Sequence, residues 1–135
     1  MRKIILMMFL AGVSQATKAE WIAYATSGDG NQVVYVNPAT IRKDGDKVKM
    51  WSLYDFKTAQ PLTDGKFFLS QMAQYEYDCK QEQMRVLAMF LHSGNMRKGD
   101  VLISSFDIRK WAPFAPESTN EFLWNYACGT RPVSE

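Results

Sequence analysis

Two cysteines, Cys79 and Cys128, follow an N-terminal export pattern, and together these features constrain the fold of this chain more than any others. Arg2 and Lys3 give a positive start, Ile4 to Val13 form an apolar run, and Ser14-Gln15-Ala16 and Thr17-Lys18-Ala19 supply small residues for a peptidase. That order predicts a secretory signal peptide over residues 1–19, cleaved after Ala16 or Ala19, with an apolar run too short to anchor the chain in a bilayer. No cysteine follows the run, so lipid attachment at a new N-terminus is not expected. A thiol pair outside the reducing interior is normally oxidised, which predicts a structural disulfide between Cys79 and Cys128. Residues 20–135 then form one domain, located in the periplasm, on the cell surface or in the medium.

The formal net charge of +2 is set by the leader. Arg2, Lys3 and Lys18 lie there with no acid beside them, so removing these three charges leaves −1 on the mature domain. A near-neutral domain has no bulk electrostatic reason to hold nucleic acid or an anionic membrane. No other apolar run reaches membrane-spanning length, so no membrane span is expected.

Alternation with period two dominates from Trp21 to Arg109 and predicts strands. Trp21–Thr26 and Gln32–Val36 flank the turn residues Ser27 to Asn31. Asp44-Gly45, a hairpin signal, precedes Lys47–Lys57, where Val48, Met50, Ser52, Tyr54 and Phe56 share one mostly apolar face. Ser70–Cys79 sets Ala73, Tyr75, Tyr77 and Cys79 on one face and Gln74, Glu76 and Asp78 on the other. Met84–Ser93 is apolar on both faces, with Val86, Ala88 and Phe90 opposed to Leu87, Met89 and Leu91, as expected of a central strand. Val101–Ile108 follows a turn-rich stretch.

The period changes at Ser118-Thr119-Asn120-Glu121, a capping box in which Ser118 caps the Glu121 amide and Glu121 bonds back. Phe122, Leu123, Tyr126 and Ala127 recur at helical spacing, and Gly129 suits the stop. A bridge from Cys128 to Cys79 pins the last helical turn onto a sheet face. The expected fold is therefore α+β, mostly β: a curved antiparallel sheet with one C-terminal helix tethered by a disulfide.

The residues offer little catalytic chemistry. His92 is the only histidine, so multi-imidazole metal sites are excluded, and thiolate sites go with the disulfide. A triad built from His92 with Ser93, Ser104 or Ser105 lacks a strand–turn–helix setting for its nucleophile. Glu76 and Asp78, one strand step apart on one face, lie at a spacing that fits an inverting glycosidase pair. An exposed polar sheet face accounts for them more simply. No catalytic residue, metal or cofactor is assigned. Trp21, Trp51, Trp111 and Trp124, with Tyr24, Tyr35 and Tyr54, suit a carbohydrate or peptide platform, but packing accounts for most of them in so small a domain. Trp111 and Phe114, in the proline-flanked loop Lys110 to Pro116, are the better candidates for a contact hot spot. Arg97 and Lys98 join them as binding candidates, against a plainer reading as a solvated rim.

The order and spacing of several pieces resemble the surface-adhesin protein E family of Gram-negative bacteria. These are an early tryptophan, Val34-Tyr35-Val36-Asn37, Ala39-Thr40-Ile41-Arg42, Lys49-Met50-Trp51-Ser52-Leu53, Ser70, Tyr75-Glu76-Tyr77-Asp78-Cys79, Trp111, Pro116-Glu117-Ser118 and Tyr126-Ala127-Cys128. The resemblance runs from Trp21 to Cys128. It implies the tethered-helix sheet already expected, display at the cell surface, and binding to host matrix or serum proteins. The resulting expectation is a non-enzymatic, adhesin-like binding module whose partner is a protein or a glycan. The alternative is a small periplasmic inhibitor of a hydrolase, docking through Thr58–Phe68 or Ser93–Asp100. A homodimer through an exposed sheet edge is also expected to be accessible.

Overall fold

The structure, a computed structural model, describes residues 20–129. The export pattern over residues 1–19 and the last residues, 130–135, lie outside the described residues. No helix among the described residues is long and apolar enough to cross a membrane.

The strands are β1 (Ile22–Thr26), β2 (Gln32–Val36), β3 (Arg42–Asp44), β4 (Lys47–Pro61), β5 (Phe67–Asp78), β6 (Gln83–His92), β7 (Val101–Ser105) and β8 (Ala112–Pro113); the helix α1 is Thr119–Gly129. One antiparallel sheet runs in the order β1-β2-β4-β5-β6-β7, with β3 beside β4 and β8 beside β6. Among the described residues the outer edges of β1 and β7 are unpaired, so the sheet does not close. Register shifts interrupt four ladders (β1–β2, β4–β5, β5–β6 and β6–β7), and bulges of this kind bend strands and increase their twist.

The long β4–β5 hairpin is the spine. It pairs Lys47 with Asp78 through to Asp55 with Ser70, and resumes at Gln60 with Phe68. The stretch Thr58–Phe68, expected as a projecting loop, is mostly the far end of this hairpin, closed by a turn in which the Leu62 amide donates to Lys66 O at 2.7 Å. The Asp44-Gly45 signal yields the β3–β4 hairpin, with Gly45 at φ +62° and Asp44 opposite Lys47.

The alternating apolar residues form the core on one face. Val34, Val36, Val48, Met50, Tyr54, Ala73, Tyr75, Tyr77 and Met84 are buried there beneath Leu123 and Ala127 of α1. Tyr54 and Tyr75 share a hydroxyl–hydroxyl hydrogen bond of 3.2 Å, and burial pushes both phenols up in pKa. Cys79 and Cys128 are bonded, with Cα atoms 5.6 Å apart, and the bridge closes a separation of 49 residues. Trp124 adds a polar clamp, its Nε1–H donating to Asp78 O at 3.0 Å.

Three local expectations need correction. The Glu121 side chain reaches past Ser118 and accepts from the Glu117 amide at 2.6 Å, while Ser118 Oγ accepts from the Glu121 amide at 3.2 Å. Phe122 lies on the solvent side of α1, so the buried stripe is Leu123 and Ala127 with Trp124 and Tyr126 packed alongside. Regular pairing of β7 ends at Ser105; the next backbone hydrogen bond to β6 is the Arg109 amide donating to Val86 O, and Phe106 to Ile108 between them are exposed.

Candidate binding face

Among the described residues, the face of the sheet opposite α1 has no helix over it, and its composition follows from the alternation of each strand. Lys49, Trp51, Leu53 and Asp55 of β4 lie beside Glu76, Gln74, Met72 and Ser70 of β5. β6 contributes Arg85 opposite Glu76, Ala88 opposite Gln74, Phe90 opposite Met72 and His92 opposite Ser70. A bulge at Leu87 makes this set differ from strict alternation. The extra residue flips the phase, so Val86 points to the helix side while Ala88 and Phe90 point away from it.

Aromatic rings line the middle of this face. The Trp51 and Phe90 rings lie 6.1 Å apart and nearly parallel, and Phe106 stands edge-on to Phe90 at 5.4 Å. Each end carries a guanidinium against an indole. At one end Arg85 Cζ is 4.4 Å from the centre of Trp111, with Lys47 Nζ at 5.9 Å from the same ring. At the other, Arg97 Cζ is 6.0 Å from the centre of Trp21, and Arg97 Nη1 reaches Met72 Sδ at 3.8 Å. Glu76 and Met72 mark these two ends on β5, roughly 13 Å apart at the usual strand rise.

The carboxylates on this face are already engaged. Glu76 accepts from Arg85, with Nη2 at 2.8 Å and Nε at 2.9 Å. Asp78 Oδ1 accepts from the Lys80 and Gln81 amides at 3.0 Å each, and Lys47 Nζ is 3.6 Å from Oδ2. Burial pushes the Asp78 carboxyl up, but the amides of Gln81 and Lys80, the Gln83 side chain and the Lys47 charge outweigh it and hold the group below its ordinary pKa. Both acids therefore act as structural anions, one holding Arg85 and the other the β5–β6 turn. Among the described residues, buried His92 has no hydrogen-bond partner on either ring nitrogen, so no serine hydroxyl is hydrogen-bonded to it. Burial, with the Arg97 charge nearby, holds its imidazole below the usual range. Among the described residues no group of three His, Cys, Asp or Glu side chains is placed to hold a metal ion.

The loop 93–100 is bound to this face by specific contacts. Asp55 Oδ1 accepts from the Met96 amide at 2.7 Å and from Asn95 Nδ2 at 3.2 Å. Ser70 Oγ donates to Gly94 O at 2.7 Å and accepts from the Arg97 amide at 3.0 Å. Met96 and Arg97 both take left-handed backbone, at φ +52° and +65°, a conformation disfavoured for side-chain-bearing residues and held here by these bonds. This strained turn directs Arg97 onto Trp21, leaving it with no carboxylate at ion-pair distance among the described residues.

Of the four residues singled out by sequence, the structure brings Trp111 and Arg97 to opposite ends of one face. Lys98 is exposed on the loop that carries Arg97. Phe114 lies elsewhere, its ring 5.5 Å from Trp124 on the helix side. Sequence reasoning did not select Met72 or Arg85. Arg85 was within reach of it, because the tight turn after Asp78 places Glu76 opposite Arg85.

The surface-adhesin protein E family matches residues 21–129. Comparison with curated proteins finds no match. Among solved structures, Haemophilus influenzae protein E is similar in fold at 9% identity, with a TM-score of 0.59 over 84% of this chain and 87% of that one. Its second crystal form gives 10% identity and a TM-score of 0.61 over 84% and 91%, and a selenomethionine form gives 10% and 0.60 over 89% and 94%.

Proposed function

The chain belongs to the surface-adhesin protein E family, and on that premise we propose that it is a non-enzymatic, exported binding module whose helix-free sheet face contacts a host or envelope macromolecule. The observation that carries this reading is the row of rings Trp51, Phe90 and Phe106 between two cation–indole pairs, on a face that α1 leaves uncovered. Aromatic and arginine side chains held rigid before contact lose little entropy on docking and are the residue types that dominate interface energetics. Export through the signal pattern of residues 1–19 belongs to the same proposal.

The test is capture. The mature protein is immobilised and exposed to host matrix proteins and to envelope extract, beside Trp111→Ala and Arg97→Ala. Retention of a macromolecule at micromolar concentration, reduced in both variants, supports the reading. Retention of nothing, or equal retention by all three proteins, refutes it.

A second reading, inhibition of a hydrolase, draws on the loop 93–100. Its bonds to Asp55 and Ser70 preorganise it, as rigid inhibitor loops are preorganised. Unchanged rates across a panel of muramidases and peptidases would remove this reading.

A further inference from the structure

Arg42, Lys49, Glu76 and Arg85 lie in one row across β3, β4, β5 and β6, each directly opposite the next. Opposed residues of antiparallel strands project from the same face, so the row crosses the helix-free side. It holds three cations and one acid, and Glu76 is committed to Arg85 at 2.8 Å. Like charges placed directly opposite each other destabilise a sheet, so Arg42 beside Lys49 is a pairing that folding does not favour. Arg42 is anchored by Nη1 donating to Ala39 O at 3.0 Å and to Ile41 O at 2.9 Å, contacts that leave its charge unneutralised. Arg97 stands at the far end of the same face, on its strained turn. Among the described residues none of Arg42, Lys49 and Arg97 has a carboxylate at ion-pair distance.

We propose that this face binds a linear sulfated polysaccharide of the extracellular matrix, with its anions on the two basic ends and its sugar rings over the aromatic row between them. The proposal rests on the binding-module reading and names the ligand class of that face. Taking the three leader cations from the formal +2 leaves the mature domain at −1, so a polyanion is drawn to this face and not to the molecule as a whole. The two ends are separated by the β5 residues from Glu76 to Met72, roughly 13 Å. One anionic group does not reach both, which calls for charges repeated along a chain. Trp51 and Phe90, both partly exposed, lie between the ends, and the negative potential of their ring faces attracts the C–H faces of sugars. An acidic peptide fits less well. Both sides of β4, β5 and β6 are taken by neighbouring strands, so an extended peptide laid across them finds no partner for its backbone.

Calorimetric titration of the mature protein with a heparin-derived decasaccharide tests this. Binding is expected, with log Kd rising by about 2 per tenfold increase in salt, through the counter-ion release that three free cations bring about on a linear polyanion. Lys49→Gln and Arg97→Gln should each weaken binding about tenfold and lower the salt slope by about 1. Lys66→Gln, at the tip of the β4–β5 hairpin, should change neither, and all three variants should keep the wild-type circular dichroism spectrum. A sulfated monosaccharide, which reaches one end only, should bind far more weakly. Absence of decasaccharide binding overturns the proposal, as does binding indifferent to both Lys49→Gln and Arg97→Gln. Equal affinity for polyglutamate overturns it too, because sugar rings then contribute nothing, and equal affinity for lipopolysaccharide does so because clustered anions then suffice. If the decasaccharide fails but a matrix protein freed of glycosaminoglycan is captured through Trp111 and Arg97, the polysaccharide ligand falls and the binding face stands. Failure in both assays overturns both.

Discussion

Removing the disulfide, by Cys79→Ser together with Cys128→Ser, is expected to release α1 before it unfolds the sheet. The bridge closes a separation of 49 residues, for which the chain-entropy relation gives about 4 kcal/mol at 25 °C. Spread over a urea slope of roughly 1–3 kcal/mol/M, the unfolding midpoint falls by between about 1.3 and 4 M. The loss is not shared evenly. β4 and β5 keep a ladder running from Lys47–Asp78 to Pro61–Phe67 and the buried Val48, Met50, Tyr54 and Tyr75 whether or not the bridge is present. The helix has eleven residues, each costing about 1–2 kcal/mol of backbone entropy to order, and a free helix of this length is marginal in water. What still holds it is burial of Leu123 and Ala127, the Trp124–Asp78 hydrogen bond, and the Tyr126 ring 4.8 Å from Tyr24. Burying Leu123 contributes only about 2–3 kcal/mol. Hydrogen exchange read by mass spectrometry alongside urea unfolding checks the order of events: amides of residues 119–129 should exchange through a local opening at denaturant concentrations where β4 and β5 remain protected. If those amides exchange only with the sheet, or if the double variant unfolds at the wild-type midpoint, the tether has been misjudged.

Three further outcomes are expected. His92 is held neutral in the folded protein, by burial first and the nearby Arg97 charge second, so its folded pKa lies below 6.5. Above pH 6.5 neither state binds the proton; below it the unfolded chain takes it up first, and stability falls with decreasing pH until the folded imidazole is protonated too. The urea midpoint should therefore drop between pH 7 and pH 5, and His92→Gln should flatten that slope, since no other histidine is present; parallel slopes in the two proteins would contradict this. Gly99→Ala places a methyl group against Ser93 Oγ at a backbone φ of +77°, and should cost about 1–3 kcal/mol and expose loop 93–100 to protease. Gly65→Ala, with open space around it and φ +83°, should leave that loop intact, and equal nicking of the two variants would show that steric contact at Gly99 is not the cause. Glu76→Gln should lower stability by about 1–2 kcal/mol through the loss of a charged partner for Arg85, and should shift the Trp111 fluorescence as the guanidinium reorients. An unshifted spectrum would separate Arg85 from Trp111 in solution.

How much of this could be read from residues alone depends on sequence distance. Features set by neighbours a few positions apart were legible: β2 spans the expected Gln32–Val36, Asp44-Gly45 turns into β4, and the Ser118–Glu121 pattern starts α1 one residue later. The cysteine pair was legible because only one intramolecular pairing exists for two thiols. Errors arose where one residue changes phase. Leu87 is extra in its ladder, so a run with apolar residues in both phases gave no sign that Val86 and Ala88 face opposite ways. Phe122 fits the helical period as well as Leu123 does, and only the side of α1 that meets β4 and β5 decides which is covered. β3 and β8 are too short to leave a period of their own; each exists because a longer strand offers it a free edge.

The candidate face lies furthest from the reach of local reading. It gathers Trp21, Trp51, Met72, Arg85, Phe90, Arg97, Phe106 and Trp111, drawn from nearly the full length of the described chain. Taken singly, each of these residues is more simply explained as packing, and that explanation fits Phe114 and Trp124. The side of the sheet on which each aromatic falls separates the two groups. Since α1 can cover only one side and the disulfide at Cys79 fixes which, the tether that closes the core also determines which aromatic set remains available for contact. Stability and the binding face are in this sense specified by the same covalent choice.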